Sequence, residues 1–178
     1  MTRVKTIVVV LGALALAACA SNGAGDGYGD GPAKAFPDDA RETRLTNVRQ
    51  LTFEGENAEA YWSWSGDQLI FQVRERLGLE CDQIFTMGTD AAAEKLVSTG
   101  AGRTTCAYFL PGDKEIVYCS THAEGAMCPT PPERTPGLYT WPLYPYDIYR
   151  ANADGTNVRR LTNGPGYNAE ATLRADGR

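Results

Sequence analysis

Five cysteines, a single histidine and a short run of Asn and Asp are the side chains of this 178-residue chain most able to do chemistry. His122 sits in Ser120-Thr121-His122, and a general base there would need Ser120 or Asp147 within reach. With one histidine and no Gly-x-Ser-x-Gly elbow to present a nucleophile, it reads instead as a rim histidine bonded to backbone. Asn152, Asp154 and Asn157 have the residue types of a cation loop. Their spacing and the lack of a distal Glu do not fit an EF-hand, whereas Asp154-Gly155 between two strand-forming runs predicts a hairpin turn. Zinc would call for Cys-x-x-Cys or paired histidines, and the chain has neither. The residues therefore predict no catalytic site, no metal and no cofactor.

Cys81, Cys106, Cys119 and Cys128 remain once the leader is set aside. An even count in an exported chain predicts two disulfides, with three connectivities open. Cys128 lies in a proline-rich insertion, so one bridge is expected to pin that insertion. Cys106 and Cys119 stand at the open ends of one predicted hairpin. The preferred arrangement is Cys106–Cys119 with Cys81–Cys128.

The first 18 residues form a leader: Arg3 and Lys5 are its basic start, and Thr6 to Ala15 its apolar core. Leu16-Ala17-Ala18-Cys19 resembles the bacterial lipobox, which makes Cys19 the expected site of lipidation and the anchor to a membrane. Ala20, in place of an Asp, points to the outer membrane, facing the periplasm in preference to the cell surface. Residues 19–37 are Gly/Asp/Ala-rich and read as a flexible tether in which Asp26 and Asp30 are solvated spacers. The net charge is −5, and −7 without Arg3 and Lys5; with no basic patch, this argues against nucleic acid as partner.

The elements that position these residues come from a repeat. Ala60 to Gln72 aligns without a gap on Ala107 to Cys119, placing Trp62 on Phe109 and Leu69-Ile70-Phe71 on Ile116-Val117-Tyr118. A third copy starts at Ala171. Each copy is a short strand, a Gly/Asp/Pro turn, and a β-branched and aromatic strand. Hairpins of this kind, repeated along the chain, predict stacked blades over residues 38–178: an all-β, incomplete β-propeller of about three blade-like repeats. Leu45, Val48 and Leu51 are expected to close the first blade, and Trp62 and Trp64 to pack between blades, with an exposed ligand-stacking platform as the alternative for the two tryptophans. Ala91 to Leu96 has helical propensity, but the corresponding stretch of the later copy is strand, Asp-Gly turn, strand, so strand is predicted.

An insertion at 121–146 interrupts the pattern. It carries six prolines together with Tyr139, Trp141, Tyr144 and Tyr146, and is expected to be extended and turn-rich. Two readings stand side by side. The rings form a contact surface, as Tyr and Trp on long loops often do, or they fold back over the blade edge.

Asp154-Gly155-Thr156-Asn157-Val158-Arg159-Arg160-Leu161-Thr162 and Leu173-Arg174-Ala175-Asp176-Gly177 resemble the repeat of TolB-like β-propellers. Trp62-Ser63-Trp64-Ser65-Gly66 is a looser match, and Phe109-Leu110-Pro111-Gly112-Asp113 inverts the Asp-Gly order. The resemblance spans about Arg49 to Arg178 apart from the insertion. It implies a non-enzymatic bacterial envelope scaffold that binds an envelope protein partner. The same repeats also form substrate-gating propellers at the N-terminus of exported peptidases. In that alternative a catalytic domain lies beyond residue 178. Three partial blades leave edges and an apolar face open, so this stretch alone is expected to be aggregation-prone.

Overall fold

Runs such as Gln68-Leu-Ile-Phe-Gln-Val-Arg74 and Glu115-Ile-Val-Tyr-Cys-Ser120 combine β-branched and aromatic residues without a helix-compatible period. In a computed structural model, which describes residues 33–133, 135–138, 141–174 and 176, every regular element is a strand. They are β1 (Lys34–Ala35), β2 (Arg49–Gln50), β3 (Glu56–Trp62), β4 (Gln68–Arg74) and β5 (Gln83–Gly88). After these come β6 (Lys95–Leu96), β7 (Thr104–Phe109), β8 (Glu115–Ser120), β9 (Asp147–Asn152) and β10 (Arg159–Arg160).

Two four-stranded antiparallel meanders form the blades, β3-β4-β5-β6 and β7-β8-β9-β10. The third sheet is the two-residue pairing of β1 with β2, whose β1 falls inside the stretch read as tether. The middle strands β4, β5 and β8 are buried along most of their length, because each blade is covered on both faces there. Alternation along β4 divides the core in two. Ile70, with Ile84 and Val97, meets Phe109, Ile116, Tyr118, Tyr149 and Ala151 of the second blade. Leu69, Phe71 and Val73, with Phe85 and Met87, form a second cluster on the far side of the first blade, against Leu51 and Leu79. Each fully buried large apolar side chain contributes about 1.5–3 kcal/mol, so the inter-blade cluster is the main source of cohesion. A buried Arg76–Glu94 ion pair joins the segments after β4 and before β6.

The inner strands β3 and β7 share an irregularity: the pairing slips between Ala58 and Tyr61, and between Thr105 and Tyr108. Glu59 and Cys106 occupy the slip with φ of 51° and 47°. Glu170, in the same column of the repeat, has φ 59°. A bulge of this kind bends an inner strand and re-aims its side chains. The third copy therefore keeps the backbone signature of the other two, although 168–174 forms no strand.

Two expectations change and a third holds. Trp62 and Trp64 are 64% and 53% exposed and do not pack between blades. Trp62 pairs with Leu69 and so shares the face turned away from the second blade. Trp64 instead ties the blades by hydrogen bonds: its indole Nε1–H donates to the Phe109 carbonyl (2.9 Å), and its amide and that of Ser65 donate to the Asp113 carboxylate. Leu45 and Val48 are also exposed, leaving Leu51 as the residue of that group that packs on the first blade. The 91–96 stretch follows the repeat over the propensity, with Ala91 and Ala93 in left-handed turns ahead of β6.

Candidate functional site

The hairpin turns at 63–67 and 110–114 lie at one end of the blades, so the exit of β4, the entry to β7 and the exit of β8 share the other end. The insertion leaves from that second end. The Thr121 amide donates to the Arg103 carbonyl, and the Gly102 amide to the Ala126 carbonyl. Gly102 has φ +63°, and a Cβ there would lie 2.8 Å from the His122 nitrogen, so glycine is needed for the insertion to seat. Cys81, just before β5, bonds Cys128, with the two Cα atoms 5.5 Å apart. The bridge expected to pin the insertion is therefore formed.

Between the pinned insertion and the blade end lies a cleft of about 680 Å³. Trp141, Tyr144, Tyr146 and Tyr167 line it, with Leu138 and four prolines on the insertion side and Arg74 and Arg103 on the blade side. Tyr146 is buried, edge-on to Tyr144 and Tyr167 at 6.3 and 5.7 Å. Burial pushes its hydroxyl pKa upward, keeping the ring neutral. Trp141 is 63% exposed at the mouth and Tyr144 is half-buried, so the four rings expected to act together divide. Tyr146 folds back onto the blade and Trp141 faces solvent; Tyr139 lies outside the described residues, as does Cys19.

The arginines were not singled out from the sequence. Arg103 bonds Asp82 at 2.9 Å and stands 5.6 Å over the Tyr144 ring. Arg74 bonds Glu56 at 2.5 Å. Burial raises the Asp82 carboxyl pKa, while Arg103 and Arg74 pull against that rise. Neither carboxylate is part of the lining, and among the described residues no acidic side chain lines the cleft. Arg74, Arg103 and Tyr167 come from three separate segments that only the blade topology brings together.

The other candidates go elsewhere. Cys106 and Cys119 are free, which overturns the Cys106–Cys119 pairing. Thr105, not Cys106, is opposite Cys119, and Cys106 sits in the left-handed bulge that turns it out of that register. The buried Cys119 sulfur faces the Glu170 and Ala171 amides instead, and burial pushes its pKa up to about 11. His122 Nδ1 is 2.8 Å from the Ser120 hydroxyl, a side chain where backbone was expected, and its ring packs 4.2 Å from Tyr149. Ser120 is fully buried, and the Asp147 carboxylate accepts from Arg160 and Thr162. The Asn152–Thr156 stretch closes as the expected turn, with the Asn152 amide donating to the Thr156 carbonyl and Asp154 accepting from the Thr156 amide.

No family model matches this chain, and no curated protein matches its sequence. A solved structure from Agrobacterium tumefaciens assigned as TolB superposes with a TM-score of 0.52 at 20% identity, covering 70% of this chain and 40% of its own. The chain thus spans less than half the length of that neighbour. At this identity the likeness shows the fold alone: the two meanders and their shared inner-strand bulge are the blades of a TolB-like β-propeller fold.

Proposed function

We propose that this chain is a non-enzymatic scaffold of the bacterial envelope, anchored through a lipid on Cys19 at the periplasmic face of the outer membrane. It holds a protein partner through the insertion at 121–146. One observation carries the reading: Met127, Leu138, Trp141 and Leu143, each at least 60% exposed, all stand on that insertion, and Leu138 and Trp141 also line the cleft. Four large apolar side chains held out to solvent on one disulfide-pinned loop mark a contact surface more than a fold requirement. Trp is also a residue type enriched among interface anchors. The TolB-like fold is compatible with such a role.

A photo-crosslinking amino acid placed at Leu143, with Lys95 as an exposed control on the outer edge of the first blade, tests this in the source cell. A discrete protein adduct from position 143, absent from 95 and lost when Trp141 is changed to Ser, is expected. Adducts absent at 143, or identical at both positions, would remove the reading.

A further inference from the structure

We infer that the cleft selects an extended, proline-containing peptide segment of the partner by its carboxylate. The inference rests on the reading of the insertion as a protein-contact surface and adds the chemistry of what enters it. Three observations converge. First, among the described residues the charged side chains lining the cleft are Arg74 and Arg103, in a protein whose net charge is −5. Their partners Glu56 and Asp82, and Glu75 at 4.0 Å from Arg74, stand outside the lining, so the charged groups that the cleft itself presents are guanidinium donors backed by carboxylates. Second, guanidinium is the side chain best matched to a carboxylate, through planar paired donors. Arg103 is pre-positioned by Asp82 and by the Tyr144 face, which lowers the ordering cost on binding. Third, Trp141, Tyr144, Tyr146 and Tyr167 line the same cleft. Aromatic-lined grooves take extended proline-containing segments, whose conformational entropy is already low. At about 680 Å³ the cleft holds a few residues, not a folded domain. The carboxylate comes from an Asp or Glu side chain or from a chain terminus; the chemistry is the same.

The test uses three labelled pentapeptides titrated against the oxidised full chain by fluorescence anisotropy. They are acetyl-Pro-Pro-Glu-Pro-Pro-amide, its Gln counterpart, and the Gln peptide with a free terminal carboxylate. The Glu amide or the free-acid Gln peptide is expected to bind about tenfold tighter than the Gln amide. Which of the two does so names the carboxylate's source. Arg74→Gln is expected to erase that preference. Because Arg103 partners the half-buried Asp82, Arg103→Gln is read only beside its unfolding midpoint, and the loss of preference in added salt serves as the second check. Equal binding of all three peptides would overturn the carboxylate selection while leaving the contact surface standing. Binding of none, or tighter binding of oligogalacturonate, would overturn the inference outright. Loss of the crosslink at position 143 as well would take the underlying reading with it.

Discussion

Removing the Cys81–Cys128 bridge separates what the blades do from what the insertion does. The bridge closes a loop of 47 residues. In the chain-entropy account a loop of that length restricts the unfolded chain by an amount worth about 4 kcal/mol at 25 °C. That is a large share of the roughly 5–15 kcal/mol available to a domain. Within this loop lie β5 to β8, so the constraint crosses both blades, and Cys128 sits beside Arg103 at the cleft. Cys81→Ser/Cys128→Ser is therefore expected to lower stability by about 2–4 kcal/mol and to abolish tight peptide binding. The folded baseline should keep its β-sheet signal, because the inter-blade cluster does not include either cysteine. Denaturant unfolding followed by circular dichroism measures the loss, and wild type in reductant should match the double variant. Cys106→Ser should leave the midpoint in place. A loss under about 1 kcal/mol, or a non-reduced peptide map joining Cys106 to Cys119, would refute the reasoning.

Two further outcomes follow from buried charge. Glu94→Ala strands the Arg76 guanidinium in a site where both side chains are 2% exposed, and should cost about 3–5 kcal/mol by denaturant midpoint. Replacing the pair together by Met and Leu should recover most of that loss. Burial, and then Arg160, hold the His122 pKa below its ordinary value, with Asp147 opposing. The unfolded chain therefore binds the proton more readily, so stability is full above the ordinary histidine range and falls as pH drops through it toward the lowered value. His122→Gln should flatten the decline in midpoint between pH 7 and pH 5, and an unchanged slope would rule His122 out as its source.

The hairpins were legible because their determinants are local. Apolar runs, turn residues and a repeat offset locate strands without reference to what packs on them. Trp62 shows where local reasoning stops. It occupies the same register position as Phe109, each opposite the first apolar residue of the next strand, yet Phe109 is 2% exposed and Trp62 is 64% exposed. Period two assigns a side chain to a face; it does not say whether another blade covers that face. Among the described residues the second blade has the first to pack against, and Trp62 points the other way. The cleft divides along the same line. Its prolines and rings were visible as one stretch, while Arg74, Arg103 and Tyr167 meet there only through strand direction.

The overturned Cys106–Cys119 pairing is the more instructive case, because the repeat column that Cys106 occupies explains it. Setting Ala60 on Ala107 and Ala171 places Glu59, Cys106 and Glu170 in one column. All three residues are left-handed, and in β3 and β7 the ladder slips at that column. A thiol in an in-register strand could meet its neighbour across a hairpin. A thiol on the bulge is rotated out of the ladder, while the partner strand runs on without it. Neither Glu nor Cys favours φ > 0, so the bulge is imposed by the blade and not chosen by its residue. A position that repeats in geometry while its residue type changes is set by the architecture. The thiol of Cys106 suggests a partner across the hairpin, and the bulge at its column turns it away from that partner.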